Sequence, residues 1–142
     1  MEFYEVLKTR RSIRGYKPDA VAENVLNRIA EAVNLAPTAC NRQPFKLLLV
    51  RDPAMKKTIC ANCKFEFLAQ APVIAVMMTN ESAAWTRFEG NSAADIDASI
   101  AMEHFVLAAA GIVYAAIYLL FTIALRLDEV QILTRRFRRK GA

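Results

Sequence analysis

The chain has 142 residues, of which 55% are hydrophobic, and its formal net charge at pH 7 is +5. This length and composition are typical of one domain with its own core and argue against a disordered chain. Five of the 19 basic residues lie in the stretch RRFRRK at 135–140, which leaves 14 basic against 14 acidic residues elsewhere. Because nucleic-acid binding needs Lys and Arg clustered over a face, we expect no nucleic-acid partner.

The N-terminus has no features of a secretory signal. Met1 is followed by Glu2, Glu5 and Lys8 without an apolar run, whereas a signal peptide needs one. We therefore expect a cytoplasmic protein.

Apolar residues at helical spacing predict helices over residues 2–9 and 22–35. Helical spacing also predicts a third and stronger helix, between Asn91 and Ala110, whose apolar side broadens until it covers the whole surface. Such a helix is expected to be central to the fold.

Nearly continuous apolar runs predict two buried strands, FKLLLVR at 45–51 and APVIAVMMT at 71–79. The dipeptide after the first run predicts a helix capped by Asp52 with Pro53 at its first position. Prolines bracket the stretch APTACNRQPF, which we interpret as a loop. The pattern as a whole predicts one α+β domain.

Cys60 and Cys63 form the motif CANC, a spacing found in half of a zinc site or in a redox pair. A structural zinc needs four ligands. The sequence has no second such pair, and its single histidine, His104, lies more than forty positions away. We predict no metal site and interpret the thiols as buried or incidental.

The stretch TRRSIRGYKP at 9–18 gathers four cations around one serine. One interpretation is a solvated basic turn after a helix. The other is a phosphate site, because guanidinium groups bind phosphate oxygens bidentately and a hydroxyl and backbone amides add donors. The residues that would converge on the phosphate are Arg10, Arg11, Ser12 and Arg14.

In order and spacing, four stretches resemble the nitroreductase family of FMN-dependent oxidoreductases. They are FYEVLKTRRSIRGYKPD, AVNLAPTACNRQPFKLLLV, LAQAPVIAV and the helix DASIAMEHFVLAAA, and they fall within residues 3–110. The resemblance implies a nitroreductase-like α+β fold in a single domain, residues 1–142. In that fold, helices flank an antiparallel-type sheet and a long central helix lies at the interface of a homodimer.

The resemblance also implies an FMN site made from two segments. Arg10, Arg11 and Ser12 would hold the phosphate and ribityl chain, and Arg14 would lie toward the pyrimidine edge, where a cation favours the reduced flavin. The other subunit would line the cofactor with Pro37, Thr38, Ala39, Asn41 and Gln43. The amides of Asn41 and Gln43 suit polar flavin groups, or alternatively the chemistry of a polar turn.

The implied reaction belongs to the cofactor. NAD(P)H would give hydride to the flavin, and a small electron acceptor such as a nitroaromatic or a quinone would take it. No acid–base or nucleophilic triad is needed, so we predict no catalytic side chain and interpret His104 as a helix residue.

The resemblance ends near residue 110, and residues 111–142 read as an atypical apolar segment followed by a basic tail. We expect an incomplete C-terminal part, produced by truncation or by a change of reading frame near Gly111. Two alternatives to an active enzyme follow. The first is a cofactor-free remnant without activity.

The second alternative is a small membrane-anchored protein. The segment at 105–125 is uncharged and long enough to cross a bilayer. The positive-inside tendency conflicts with this alternative, because it would hold the Arg-rich tail in the cytoplasm and place the flavin domain outside.

Overall fold

The computed structural model describes residues 3–63 and 65–112. The elements, in chain order, are α1 (Phe3–Thr9), α2 (Glu23–Asn34), β1 (Phe45–Val50), α3 (Pro53–Asn62) and β2 (Ile74–Thr79). Residues 94–112 are helical and form α4. Short 3-10 turns follow α2 and α3.

The two strands pair antiparallel, with Phe45 opposite Thr79 and Val50 opposite Ile74. Helices and an antiparallel sheet confirm the predicted α+β class. The prediction that both strands are buried is wrong. In β2 only Ile74 is buried, and Met78 and Thr79 are exposed. Along β1 half-buried and exposed residues alternate, because its side chains alternate between the two faces of the sheet and only one of these faces lies against the core.

Two predicted boundaries also shift for local reasons. The second strand begins at Ile74 rather than residue 71; Pro72 precedes it and has no N–H to donate to a ladder. The long helix begins at residue 94 rather than 91, because Thr86 and Ser92 form an antiparallel bridge that closes a small hairpin before it.

Local sequence signals account for the helix that follows β1. Asp52 is the N-cap of α3 and its Oδ1 accepts the N–H of Met55 at 2.8 Å, while proline occupies the first turn. Both features were predicted. They satisfy one orphan amide of the helix and preset its first φ angle.

The core lies where α2, the sheet and α4 meet. Val33, Ala36 and Ala101 form its buried cluster. The small side chain of Ala101, which is fully buried, allows α4 to approach closely. Four half-buried apolar residues pack against this cluster: Phe45, Leu47, Met77 and Phe105.

His104 ties α4 to α2. Its Nδ1 lies 3.0 Å from the carbonyl oxygen of Ala32. A carbonyl oxygen only accepts hydrogen bonds, so Nδ1 carries a proton and donates it. This contact agrees with the interpretation of His104 as a helix residue.

Several predictions concern residues outside the described ones. The basic tail and most of the apolar segment at 105–125 lie in residues 113–142. In residues 3–63 and 65–112, no helix is long and apolar enough to cross a membrane.

Candidate functional site

Residues 10–17, called the cationic segment, follow α1 without regular secondary structure. The Nη1 of Arg11 donates to the carbonyl oxygens of Lys8, at 2.7 Å, and of Arg10, at 2.8 Å. These two carbonyls lie at the carboxyl end of α1, where helical partners run out. Arg11 therefore caps the helix with one nitrogen of its guanidinium group.

The other predicted phosphate ligands are arranged differently. Arg10 is half-buried, and its Nε is buried without a hydrogen-bond partner among the described residues. Ser12 and Arg14 are exposed. The segment thus combines one partly enclosed cation with a hydroxyl and a cation that face solvent.

Tyr16 fixes the far end of the cationic segment. Its hydroxyl donates to the carbonyl of Ile13 at 3.1 Å, and its ring centroid lies 6.3 Å from that of Phe67. Phe67 belongs to the 3-10 turn Glu66–Gln70. The segment is therefore attached to α1 at one end and to this turn at the other.

Residues 37–43, called the proline loop, contain unusual backbone geometry. Cys40, Asn41 and Gln43 have φ angles of 53°, 52° and 47°. The left-handed region costs an L-residue roughly 1–2 kcal/mol, and Asn tolerates it best. Such a conformation persists only where surrounding contacts impose it.

Hydrogen bonds within the loop supply part of that constraint. Thr38 Oγ1 accepts the N–H of Gln43 at 2.9 Å, and the carbonyl of Thr38 accepts the N–H of Asn41 at 3.0 Å. The Nε2 of Gln43 donates to the carbonyl of Asn34 at 3.3 Å. Gln43 thus stabilises the turn, which is the alternative role predicted for it.

The other predicted loop residues differ in exposure. Thr38 and Ala39 are half-buried, whereas Pro37 and Asn41 are exposed. The side-chain amide of Asn41 has no hydrogen-bond partner within the described part of the chain. The structure therefore brings the five predicted loop residues into one turn and leaves the Asn41 amide at its surface.

Sequence reasoning missed Asp97, which anchors the loop to α4. The Oδ1 of Asp97 accepts the N–H of Ala39 at 2.9 Å, and the side chain is only 2% exposed. One signal was available. Asp97 lies between Ala93 and Ala101 at four-residue spacing, so an acid occupies the buried stripe of the helix.

Arg42 was missed as well. Its Nη1 donates to the carbonyl oxygen of Ala84 at 2.9 Å and thereby ties the loop to the segment that follows β2. A single arginine in a polar loop gives no sequence signal for such a contact.

The cationic segment and the proline loop are not joined within the described residues of one chain by a hydrogen bond or an ion pair. The predicted site draws these two segments from different subunits. That arrangement stays a prediction.

The CANC motif forms no metal centre in the described part of the chain. Cys60 is half-buried, Cys63 is exposed, and both thiols are free. In residues 3–63 and 65–112, no group of three or more His, Cys, Asp or Glu side chains could hold a metal ion.

Comparisons with known proteins point to one family. Residues 7–63 match the model of the Nitroreductase family. The NADH dehydrogenase of Thermus thermophilus is 44% identical to this chain over 69 residues, which are 48% of this chain and 34% of that protein.

Solved structures give the same answer for the fold. A nitroreductase family protein from Clostridium novyi NT matches with a TM-score of 0.72 and 33% identity, over 78% of this chain and 65% of that chain. An FMN-dependent nitroreductase from Clostridium difficile R20291 matches with a TM-score of 0.60 and 30% identity, over 75% and 60% of the two chains.

The described part of the chain therefore has the nitroreductase fold, and residues 7–63 are a nitroreductase-family sequence. The resemblance that the motifs predicted is confirmed over residues 7–63. The matched residues include both the cationic segment and the proline loop. The chain spans about a third of the length of the Thermus relative and less than two thirds of either solved structure.

Proposed function

We propose that this chain is an FMN-dependent oxidoreductase of the nitroreductase type. It would take hydride from NAD(P)H and pass it to a nitroaromatic, a quinone or a similar small acceptor. One observation carries the proposal: the left-handed proline loop and the cationic segment both lie inside the stretch that matches the family. The names of two similar proteins, an NADH dehydrogenase and an FMN-dependent nitroreductase, support the same chemistry.

The cationic segment fits a phosphate group. The buried Nε of Arg10 has no acceptor among the described residues, and an unsatisfied buried donor is costly. Ser12 is exposed, and its hydroxyl has no hydrogen-bond partner in the described part of the chain. A phosphate would supply acceptors to Arg10 and Ser12, whereas a solvated basic turn leaves the buried Nε unexplained.

The proline loop fits the polar parts of a flavin. Thr38 and Asp97 accept hydrogen bonds from its backbone amides, and the exposed amide of Asn41 can both donate and accept hydrogen bonds. Bound FMN would supply the hydride chemistry. The side chains of this protein would bind and orient the cofactor, and the cation of Arg14 would favour the reduced, anionic state.

A second copy of the chain is part of the proposal. On α4, Ile96 is 52% exposed and Ile100, one turn later, is 36% exposed. Paired exposed isoleucines on the surface of a central helix favour a two-fold contact in which each copy covers the other. In such a dimer, the cationic segment of one copy would meet the proline loop of its partner.

The experiment is a titration of the full chain with FMN, followed by flavin fluorescence and by the yellow absorbance of the purified protein. We expect Arg10→Ala to weaken FMN binding at least tenfold, because a hydrogen bond to a charged group contributes about 1.5–3 kcal/mol. Arg28→Ala, which removes an exposed cation of α2, is the matched control and should change the Kd less than about twofold.

Equal losses in the two variants would mean that net charge alone attracts the cofactor, and would contradict the proposed site. A chain that is colourless after incubation with excess FMN and removal of the free cofactor by gel filtration, and that catalyses no NADH oxidation with a quinone, would be the cofactor-free remnant instead.

A further inference from the structure

Asp97 stands out from the rest of the buried surface of α4. It lies in the first turn of the helix, and its neighbours on the same stripe, Ala93 and Ala101, are small and apolar. Only 2% of Asp97 is exposed. Burying a carboxyl group is costly unless it gains hydrogen bonds, so packing alone does not explain an acid at this position.

The hydrogen bonds of the side chain are asymmetric. Oδ1 accepts the N–H of Ala39, which lies 58 positions earlier in the chain. Oδ2 is buried and has no hydrogen-bond partner among the described residues. Within the described part of the chain, the side chain of Asp97 therefore has one polar contact, and that contact is to the proline loop.

The contact falls where the loop changes direction. Thr38 is extended, with φ −134° and ψ 157°, and Ala39 begins the 3-10 turn that leads into the left-handed residues. The first amide of such a turn has no partner within the turn itself, and no side chain caps it locally. Asp97 supplies the acceptor from a different element.

We propose that Asp97 is a positioning residue of the flavin site. It fixes the first amide of the turn and thereby sets the backbone direction of residues 39–43, without touching the cofactor. This inference rests on the proposed function, since the loop is taken to line FMN. The rigid element behind the loop is α4, the helix proposed to pair two copies of the chain.

The test uses two substitutions and one control. Asp97→Asn keeps Oδ1 as an acceptor for Ala39, whereas Asp97→Ala removes it. Asp95→Ala is the control, because Asp95 lies in the same turn of α4, is exposed and has no side-chain hydrogen bond in the described part of the chain. Both alanine variants lose the same charge near the helix N-terminus.

The first measurement is amide hydrogen exchange of residues 38–43 in the full chain without FMN. We expect Asp97→Ala to raise the exchange rate of the loop amides about tenfold, and Asp97→Asn and Asp95→Ala to stay within about threefold of wild type. The second measurement is the Kd for FMN and the visible spectrum of the bound flavin. Only Asp97→Ala should weaken binding, by about tenfold, and shift the spectrum.

Wild-type loop exchange in Asp97→Ala would overturn the proposal. Equal increases in loop exchange in Asp97→Asn and Asp97→Ala would also overturn it, because Asp97→Asn retains the acceptor oxygen.

Should Asp97→Ala fail to fold, Ala39→Pro removes the same N–H from the other side. Proline is tolerated at the first position of a turn and after an extended residue. Unchanged exchange of residues 40–43 in Ala39→Pro would overturn the proposal.

Loop exchange is measured without cofactor, so this test separates the two proposals. A wild-type chain that binds no FMN would refute the proposed function, while the exchange data would still decide the role of Asp97 in the loop.

A core variant, Val33→Ala, is a control for general loss of stability, because it removes methyl groups from a residue that is 1% exposed. It should lower overall stability without the spectral shift, because it leaves the bond between Asp97 and Ala39 intact.

Discussion

At the scale of single residues, the proline loop depends on the hydroxyl of Thr38. Thr38→Val keeps the shape of the side chain and removes the acceptor for the N–H of Gln43, which lies 2.9 Å away. We expect the free energy of unfolding to fall by about 1 kcal/mol, because one hydrogen bond is lost and Gln43 is at a strained φ. Thermal denaturation measures the change, and Thr38→Ser, which keeps the hydroxyl, should stay close to wild type.

The same pair of variants reports on the cofactor. FMN affinity should fall about fivefold in Thr38→Val and remain unchanged in Thr38→Ser. If Thr38→Val binds FMN as tightly as wild type, the geometry of the loop does not matter for the cofactor.

His104 provides a second test of a single side chain. His104→Ala removes the donor to the carbonyl of Ala32 and should cost about 1–2 kcal/mol of unfolding free energy. His104→Asn places an amide donor near the position of Nδ1 and should restore part of that loss. With saturating FMN, stopped-flow reduction by NADH should proceed at the wild-type rate in both variants. A tenfold slower reduction would instead identify His104 as an acid or base.

Residues that act on near neighbours could be predicted from the sequence, and those that act across the fold could not. The cap formed by Asp52 and Pro53 was predicted because all its atoms lie within four residues. The bond from Asp97 to Ala39 spans 58 positions and depends on how α4 packs. Arg11 was predicted as a phosphate ligand, but its contact with the end of α1 depends on a rotamer that no motif specifies.

At the scale of elements, β1 has one face on the core. Leu47 packs against the buried cluster of α2 and α4, whereas Leu48 is 40% exposed on the opposite face. We expect Leu47→Ala to lower the free energy of unfolding by about 2 kcal/mol and Leu48→Ala to lower it by less than about 1 kcal/mol. Only the Leu47 substitution leaves a cavity in the core. Urea denaturation of the two variants checks this difference.

Equal losses of stability in Leu47→Ala and Leu48→Ala would mean that both faces of β1 are covered, as the apolar run FKLLLVR had suggested. The existence of both strands was predictable from these runs, since continuous apolar stretches with short lengths favour strands. Which face is buried was not predictable, because a run without alternation carries no signal for the orientation of the sheet.

At the scale of the whole molecule, the exposed isoleucines of α4 predict a dimer. Ile100→Glu places a charge on this surface and should shift the chain to monomers in sedimentation velocity at micromolar concentration, because burying an unpaired charge is costly. Phe88→Glu is the control, since Phe88 is fully exposed at the tip of the small hairpin. It should leave the mass unchanged. A wild-type monomer would contradict the proposed interface.

The last prediction asks whether each FMN site is shared between two chains. Arg10→Glu reverses a charge in the cationic segment, and Asn41→Val puts a β-branched residue at a φ of 52° in the proline loop. Each variant alone should bind almost no FMN. A mixture unfolded and refolded together forms mixed dimers, and in each of these one site combines the intact segment of one chain with the intact loop of the other.

Random pairing makes half of the dimers mixed, each with one intact site of two, so the mixture should bind about a quarter of the FMN bound by wild type. Flavin absorbance per chain after gel filtration measures this fraction. A site built within one chain has no such rescue, because every chain in the mixture carries one damaged segment. Binding that stays at the level of the separate variants would therefore place the whole site in a single chain. In that case FMN binding would not require the dimer that the exposed isoleucines of α4 predict.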